Sequence, residues 1–391
     1  MSSAADCAPA SGRGHLTLVP GLRRLWRDEH AVQLGVDPAR AIVVELPDPR
    51  TARVLDLLDG SRTEQGVLRD AVGLGVPRDV AGALVGALRA ANVVVVTDTL
   101  LPSSLPEPAR QRLVSEAASI AMRRRSLERP SEPVTPSTAA PVPGRPARAR
   151  VPAAAPAEVL RRRAATSVQV TGASRLVVPI CSALATAGIG HVDPALVGRV
   201  RPTDCAIGGL LPADADRPRG TAATEAVMRA APHADTRSLR DGAAGFVVQV
   251  GQGVPAELAA FGYARRALPH LLIEERDESI LVGPLVTAGG SPCLRCLDLH
   301  RRDRDPAWPA LVAQLATAGD EATTASTATT IVAVGVAVAQ ILGYLDGLDV
   351  VTIGASIEVG PPIHLRRRSW AAHPRCDCAH RPRSPRRFRP G

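Results

Sequence analysis

The apolar positions of this chain fall into two blocks separated by a stretch that lacks them. In the first block, "HAVQLG" and "AIVVEL" alternate apolar and polar residues around "DPAR", the pattern of a β-hairpin. "DPRTARVLDLLDG" then places Ala52, Leu55 and Leu58 on one helical face and stops at Gly60. "SRTEQGVLRDAVGLG" and "PRDVAGALVGALRAAN" read as two more helices, ending at Gly73/Gly75 and at Asn92, and "VVVVTD" reads as a strand. Two strands, three helices and a strand over residues 15–98 predict a small winged-helix-like module.

Residues 99–164 change character. A helix is expected over 107–125, followed by "RPSEPVTPSTAAPVPGRPARARVPAAAP", too poor in apolar residues to fold and expected to act as a linker. From 165 to 380 short apolar runs alternate with helical patterns: "SVQVTG", "SRLVVPICSALATAG", "GHVDPALVG", "TAATEAVMRAA", "AGFVVQVG", "PAELAAFGYARRAL", "HLLIEE" and "SILVGPLV". This alternation predicts an α/β domain with a largely parallel, doubly wound sheet. Helices are expected over 305–318 and 323–346, and "VVTIGASIEV" as a closing strand. Residues 381–391 read as a disordered Arg-rich tail.

Composition narrows the function. Of 391 residues, 45% are apolar but only 2% aromatic, so the core is built from Ala, Val and Leu, and stacking on single-stranded nucleic acid is disfavoured. All 47 basic residues are arginine, and much of the net charge of +9 lies in the linker and the tail. The helix "DVAGALVGALRAAN" offers only Arg89 and Asn92 as DNA-reading residues, so no specific nucleic-acid partner is expected. The N-terminus has no apolar segment of the signal-peptide kind. The longest apolar run, 331–345, is expected to be a buried helix too short to span a bilayer. A cytoplasmic protein without a membrane partner is the expectation. In a reducing compartment its seven cysteines point to metal or burial rather than disulfides.

Four of those cysteines form a pattern. Cys293 and Cys296 are a C-x2-C pair, and eighty residues on Cys376 and Cys378 form a C-x-C pair. Four thiolates are the donor set of a structural zinc, and a dication removes the repulsion between them. One such ion would pin the C-terminal segment to the body of the domain and would leave no open position for catalysis. His300, His373 and His380 are the alternative ligands, a disulfide or a chance pairing the alternative explanations. Cys7, Cys181 and Cys205 are scattered and read as buried or incidental.

A nucleotide loop is expected where the first strand of the second block meets its helix. The G-x-G-x-x-G fingerprint needs glycines for phosphate approach and for tight helix packing. The three positions here are Gly172, Ser174 and Val177, so only the first glycine is present. Ser174 narrows the approach, although its N–H could still face an anion. A structural strand–turn–helix is the favoured reading over nucleotide binding.

The degenerate Rossmann-like turn, "ATAGIGHV", "VGPLVTAGGSPCLRCLDLHRRDRDPAW", the apolar helix and the terminal cysteine pair together resemble the ThiF/MoeB-like family, relatives of the ubiquitin-activating enzymes. More closely, the chain resembles actinobacterial ThiF-like proteins of ribosomal-peptide modification, described as leader-peptide-binding or cyclodehydratase-partner proteins. The resemblance covers roughly 15–98 and 165–378. It implies a structural zinc on Cys293, Cys296, Cys376 and Cys378, and often a homodimer. It also implies Mg-ATP-dependent adenylation of a carboxylate, but the residues for this are missing. The acidic residue for the ribose falls at Val197–Gly198, with Asp193 too early. The magnesium aspartate falls at Gly251–Gln252, and the chain has no lysine for the phosphates. Losing these charges together removes most transition-state stabilisation. The expectation is a non-catalytic or weakly catalytic protein that binds a precursor peptide or a modifying enzyme, with ATP and Mg2+ not expected as cofactors. The candidate peptide site is the edge of "HAVQLG"/"AIVVEL" beside the helix "AGALVGALRAAN". The alternative is a live adenylyltransferase.

Overall fold

The structure is a computed structural model that describes residues 14–128 and 154–379, apart from 39, 241–242, 252–255, 289, 291 and 318–323. The chain divides into two compact units, 1–161 and 162–391.

The N-terminal unit contains β1 (His15–Leu18), β2 (Arg24–Asp28), β3 (Ala31–Leu34), β4 (Ile42–Glu45), β5 (Asp59–Thr63), α1 (Glu64–Gly73), α2 (Arg78–Ala90), β6 (Val94–Val96), α3 (Thr97–Leu100) and α4 (Glu107–Glu128). Two three-stranded antiparallel sheets result, ordered β5-β1-β6 and β2-β3-β4. The expected hairpin is β3–β4, in register from Ala31–Glu45 to Leu34–Ile42. The first expected helix is a three-ten helix, Pro49–Leu57, entered through Asp48, whose carboxylate accepts from the Arg50 N–H at 2.7 Å. Strands β2 and β5 escape apolar-alternation reading because they are polar; all five residues of β2 are exposed. The core beneath the sheets joins Leu16, Leu34, Val54, Leu55, Val67, Val85 and Leu88.

The stretch expected to be a linker is helical at both of its described ends, as expected for the first and not read from the sequence for the second. Helix α4 runs three residues beyond the expected 107–125, and α5 (Pro156–Ala164) follows. Leu113, Ala117, Ile120 and Ala121 of α4 pack with Val19, Leu100, Val159 and Leu160 in a separate apolar cluster. Their stripe is diluted by alanine, which hides it from a reading by hydrophobicity. The Pro-rich residues 129–153 and the tail 380–391 lie outside the described residues.

The second unit follows the order β7 (Ser167–Thr171), α6 (Val177–Thr186), β8 (His191–Ala195), α7 (Arg219–Ala230), β9 (Phe246–Val250), α8 (Ala256–Arg265), β10 (His270–Arg276), β11 (Ser279–Val286), α9 (Leu294–Arg304), α10 (Trp308–Thr317), α11 (Thr327–Leu345), β12 (Ala355–Gly360) and β13 (His364–Ser369). They make one seven-stranded sheet, β13-β12-β11-β10-β9-β7-β8. Only the half from β8 to β10 is parallel; from β10 to β13 every pairing is antiparallel, which corrects the expected largely parallel sheet. The reversal is local. A tight turn with Asp277 at positive φ returns β10 directly into β11, leaving no room for a crossover helix.

Helices cover both faces. Along β10, Leu271 and Ile273 join the main core with α6 and α11, while Leu272 packs with Ala259 of α8 and Leu294 of α9. Helix α11 begins four residues before the expected apolar run, capped by the Ser326 hydroxyl at 3.1 Å from the Thr329 N–H. Its 19 residues are long and apolar enough to cross a membrane by length and composition, so shortness does not distinguish it. Packing does: Ala333, Ala337, Ile341 and Leu342 are buried in the main core, as expected of a core helix.

Candidate functional site

The two cysteine pairs converge. The Sγ atoms of Cys293, Cys296, Cys376 and Cys378 all lie within 4.8 Å of one another. Cys293 is the N-cap of α9 and Cys296 lies in its first turn, so both face the positive end of the helix dipole. The tail pair arrives through a turn in which the Cys376 N–H donates to the His373 carbonyl at 2.9 Å. Sulfur separations are 4.0 Å for Cys293–Cys296, 3.6 Å for Cys293–Cys376 and 3.2 Å for Cys296–Cys378. A tetrahedral ion with bonds of about 2.3 Å holds its sulfurs roughly 3.8 Å apart, so the cluster fits such an ion.

The hydrogen bond with Cys293 and then burial push the Cys296 thiol up to about 12; burial pushes Cys376 up to about 11. Thiols this hard to ionise become thiolates when a cation takes the centre, releasing protons as it binds. Neither described histidine competes. His373 Nε2 bonds the Asp303 carboxylate at 2.7 Å and its Nδ1 accepts from the Arg375 N–H at 3.1 Å. His300 Nε2 bonds the Ala371 carbonyl at 3.0 Å. These bonds hold the tail on α9 independently of a metal. His380 and Cys7 lie outside the described residues. Cys181 is fully buried, and burial pushes its thiol above the ordinary range.

The turn after β7 is organised by its own residues. Gly172 has φ +131°, and a Cβ there would lie 2.1 Å from the Val250 carbonyl oxygen. This glycine is required by the close approach of the β7 turn to β9, whatever binds nearby. The Ser174 hydroxyl accepts from the Leu176 N–H at 3.1 Å, at the N-terminal end of α6. Val177 is buried in the core, and Arg175 donates to Thr330 Oγ1 at 2.9 Å and to the Ala325 carbonyl. Asp193 is buried and accepts from Gln169 at 2.9 Å and from the Leu239 N–H at 2.9 Å. Val197 is exposed, with Gly198 and Gly251 at positive φ, and Gln252 lies outside the described residues.

One polar cluster near this turn went unread in the sequence. Asp204 is buried and accepts from Arg219 Nη2 at 2.6 Å and Arg201 Nη2 at 2.9 Å. Burial opposes its charge, but the bonds from Arg201 and Arg219 outweigh burial and hold the carboxyl below the usual range. A signal was available. "RPTD" and "LPAD" repeat one device, in which the aspartate accepts from the N–H of the residue before the proline, at 2.8 and 2.9 Å.

Of the expected peptide edge, β4 ("AIVVEL") is an outer strand of its sheet, but β3 ("HAVQLG") is the central one, and α2 buries Ala81, Leu84, Val85 and Leu88 in the core. The outer strands are β2 and β4. Beside β2 lies a groove of about 450 Å³, walled on the other side by Pro49–Asp56.

No protein-family model matches this chain, and no curated protein does. Solved structures do. E. coli MccB with succinimide superposes with a TM-score of 0.60 at 12% identity, over 94% of this chain and 99% of that one. The microcin C7 biosynthetic enzyme MccB in complex with N-formylated MccA gives 0.59 at 12% identity, over 93% and 99%. PaaA gives 0.59 at 13% identity, over 89% and 98%. At such identities the likeness is one of fold, and the fold is ThiF-like, as expected from the sequence.

Proposed function

We propose that this chain is a peptide-binding ThiF-like protein of ribosomal-peptide maturation, which recognises a precursor leader or presents it to a modifying enzyme such as a cyclodehydratase. The observation that carries the reading is the likeness in fold, over both units, to MccB, which has been captured with MccA. The N-terminal unit is the recognition module, and its open strand edges can take an extended segment by adding it to the sheet. The ThiF-like unit is a scaffold that has lost adenylation. Support comes from the Ser174 hydroxyl being engaged with the Leu176 N–H beside the N-terminus of α6 and from Asp193 being engaged with Gln169 and Leu239. Zinc is the metal of the four-cysteine site, where Cys293, Cys296, Cys376 and Cys378 hold it and its charge fastens the tail to α9. The reading goes with a cytoplasmic protein that pairs as a homodimer.

A second reading, ATP-dependent adenylation of a peptide carboxylate, is favoured by one observation: MccB has also been captured with ATP. Titration of the full chain with labelled ATP separates the two. No binding at millimolar nucleotide, together with retention of a leader peptide from the same locus, supports the scaffold reading. Saturable ATP binding with release of pyrophosphate on adding peptide overturns it.

A further inference from the structure

The groove beside β2 has a chemical character of its own. Arg24 and Trp26 of β2 stand opposite Leu34 and Val32 of β3, so all four share one face of the sheet. Val32 and Leu34 are buried in the core, but Trp26, one strand further out, is 58% exposed. The core face of the sheet therefore opens at its edge into the groove, with the indole as one wall. The other wall is the three-ten helix, which contributes Ala52, Leu55, Arg50 and Arg53. Arg24 is fixed at one side by bonds to the Asp56 carboxylate and, at 2.6 Å, to the Leu55 carbonyl. The guanidinium groups of Arg50 and Arg53 are exposed and make no hydrogen bond or ion pair among the described residues. Three arginines face one aspartate, so the groove is positively charged, and two of its cations have no partner among the described residues.

We propose that this groove docks an acidic, extended peptide segment, which adds as a strand to β2 and sets its carboxylates against Arg50 and Arg53. The outer edge of β2 offers a row of backbone N–H and C=O groups, and the complement of such a row is another polypeptide backbone. Side chains of an added strand alternate, so every second residue faces the groove, where an acidic group meets arginine and an apolar one meets Trp26. A nucleic acid would satisfy the arginines but not the backbone row, and one indole is a poor stacking platform. The chain itself is a weak candidate for occupant: residues 1–13, 129–153 and 380–391 carry two acidic side chains between them, Asp6 and Glu132. The inference rests on the reading of this unit as a recognition module and adds both the edge that takes the peptide and the class of segment it selects.

The test uses the full chain and a labelled synthetic peptide of alternating Glu and Val, with its Gln–Val analogue and oligo(dT) as comparisons. The Glu–Val peptide is expected to bind saturably, and the Gln–Val analogue about tenfold more weakly or worse. The double variant Arg50→Gln/Arg53→Gln is expected to lose about tenfold in affinity with unchanged circular dichroism and melting temperature. Trp26→Phe separates the quench of the indole from binding itself. Equal affinity for the two peptides, undiminished binding by the double variant, tighter binding of oligo(dT), or no binding of the Glu–Val peptide overturns the proposal. A leader peptide from the same locus that binds wild type and double variant alike also overturns it, while leaving the peptide-binding function intact. A leader that fails to bind wild type, while the Glu–Val peptide binds through the arginines, has the converse meaning.

Discussion

Arg163 grips Asp346 from two sides, Nε to Oδ1 at 2.9 Å and Nη2 to Oδ2 at 2.8 Å, with both side chains almost wholly buried. Its Nη1 also donates to the Ala187 carbonyl at 2.8 Å. One guanidinium thus joins the residues just before β7, the end of α6 and the C-cap of α11. Arginine suits this place because its planar fork meets a carboxylate with two parallel bonds and still has donors left.

Removing one partner leaves the other charge buried. Arg163→Ala is expected to cost about 3–5 kcal/mol, and replacing both partners by Met and Leu much less, since no uncompensated charge remains. Urea unfolding of the two single variants and the double variant closes the cycle. Additive losses would show that the pair is not coupled.

The thiol site predicts a stoichiometry. Elemental analysis is expected to find one zinc per chain, and almost none in Cys376→Ser/Cys378→Ser, whereas Cys181→Ser keeps its metal. The double variant should lose about 3 kcal/mol, which lowers the melting temperature by roughly 10 °C for a unit of this size. Equal zinc content in wild type and double variant would remove these cysteines as the ligands.

His270 predicts a pH dependence. It stacks on Tyr263 with ring centroids 4.3 Å apart, and Nδ1 donates to the Leu268 carbonyl at 2.9 Å. Burial drives its pKa down from 6.5 to about 4, against the opposing effect of the Leu268 bond. The unfolded chain therefore binds the proton first. The stability from keeping this ring neutral is fully present above about pH 6.5 and is lost as pH falls towards 4. Between pH 7.5 and 4.5 wild type should lose about 2 kcal/mol more than His270→Asn, measured by denaturant unfolding. Parallel pH profiles would count against a buried neutral ring.

How much of this was legible depends on how each feature is encoded. The four-cysteine cluster was readable because C-x2-C and C-x-C are sparse patterns that supply thiols in pairs. Strands β7, β9 and β10 were readable because the core demands runs of valine and leucine in them. β2 and β13 were not, because all their residues are exposed; "RLWRD" and "HLRRRS" have no apolar face to announce a strand. Gly172 was found for the wrong reason, since contact with Val250 of β9, fixed by the tertiary fold, sets the need for it. Asp204 and Arg219 lie fifteen residues apart, and their pairing exists only once the turns at 201–204 and 211–214 have formed.

The thiols at 376 and 378 leave the ribosome after every strand of the seven-stranded sheet has been made. An ion held by all four thiols could be captured only then, because half of its donors do not exist earlier. A nascent chain arrested before this point would carry the Cys293 and Cys296 sulfurs at the head of α9 without the pair that meets them in the fold.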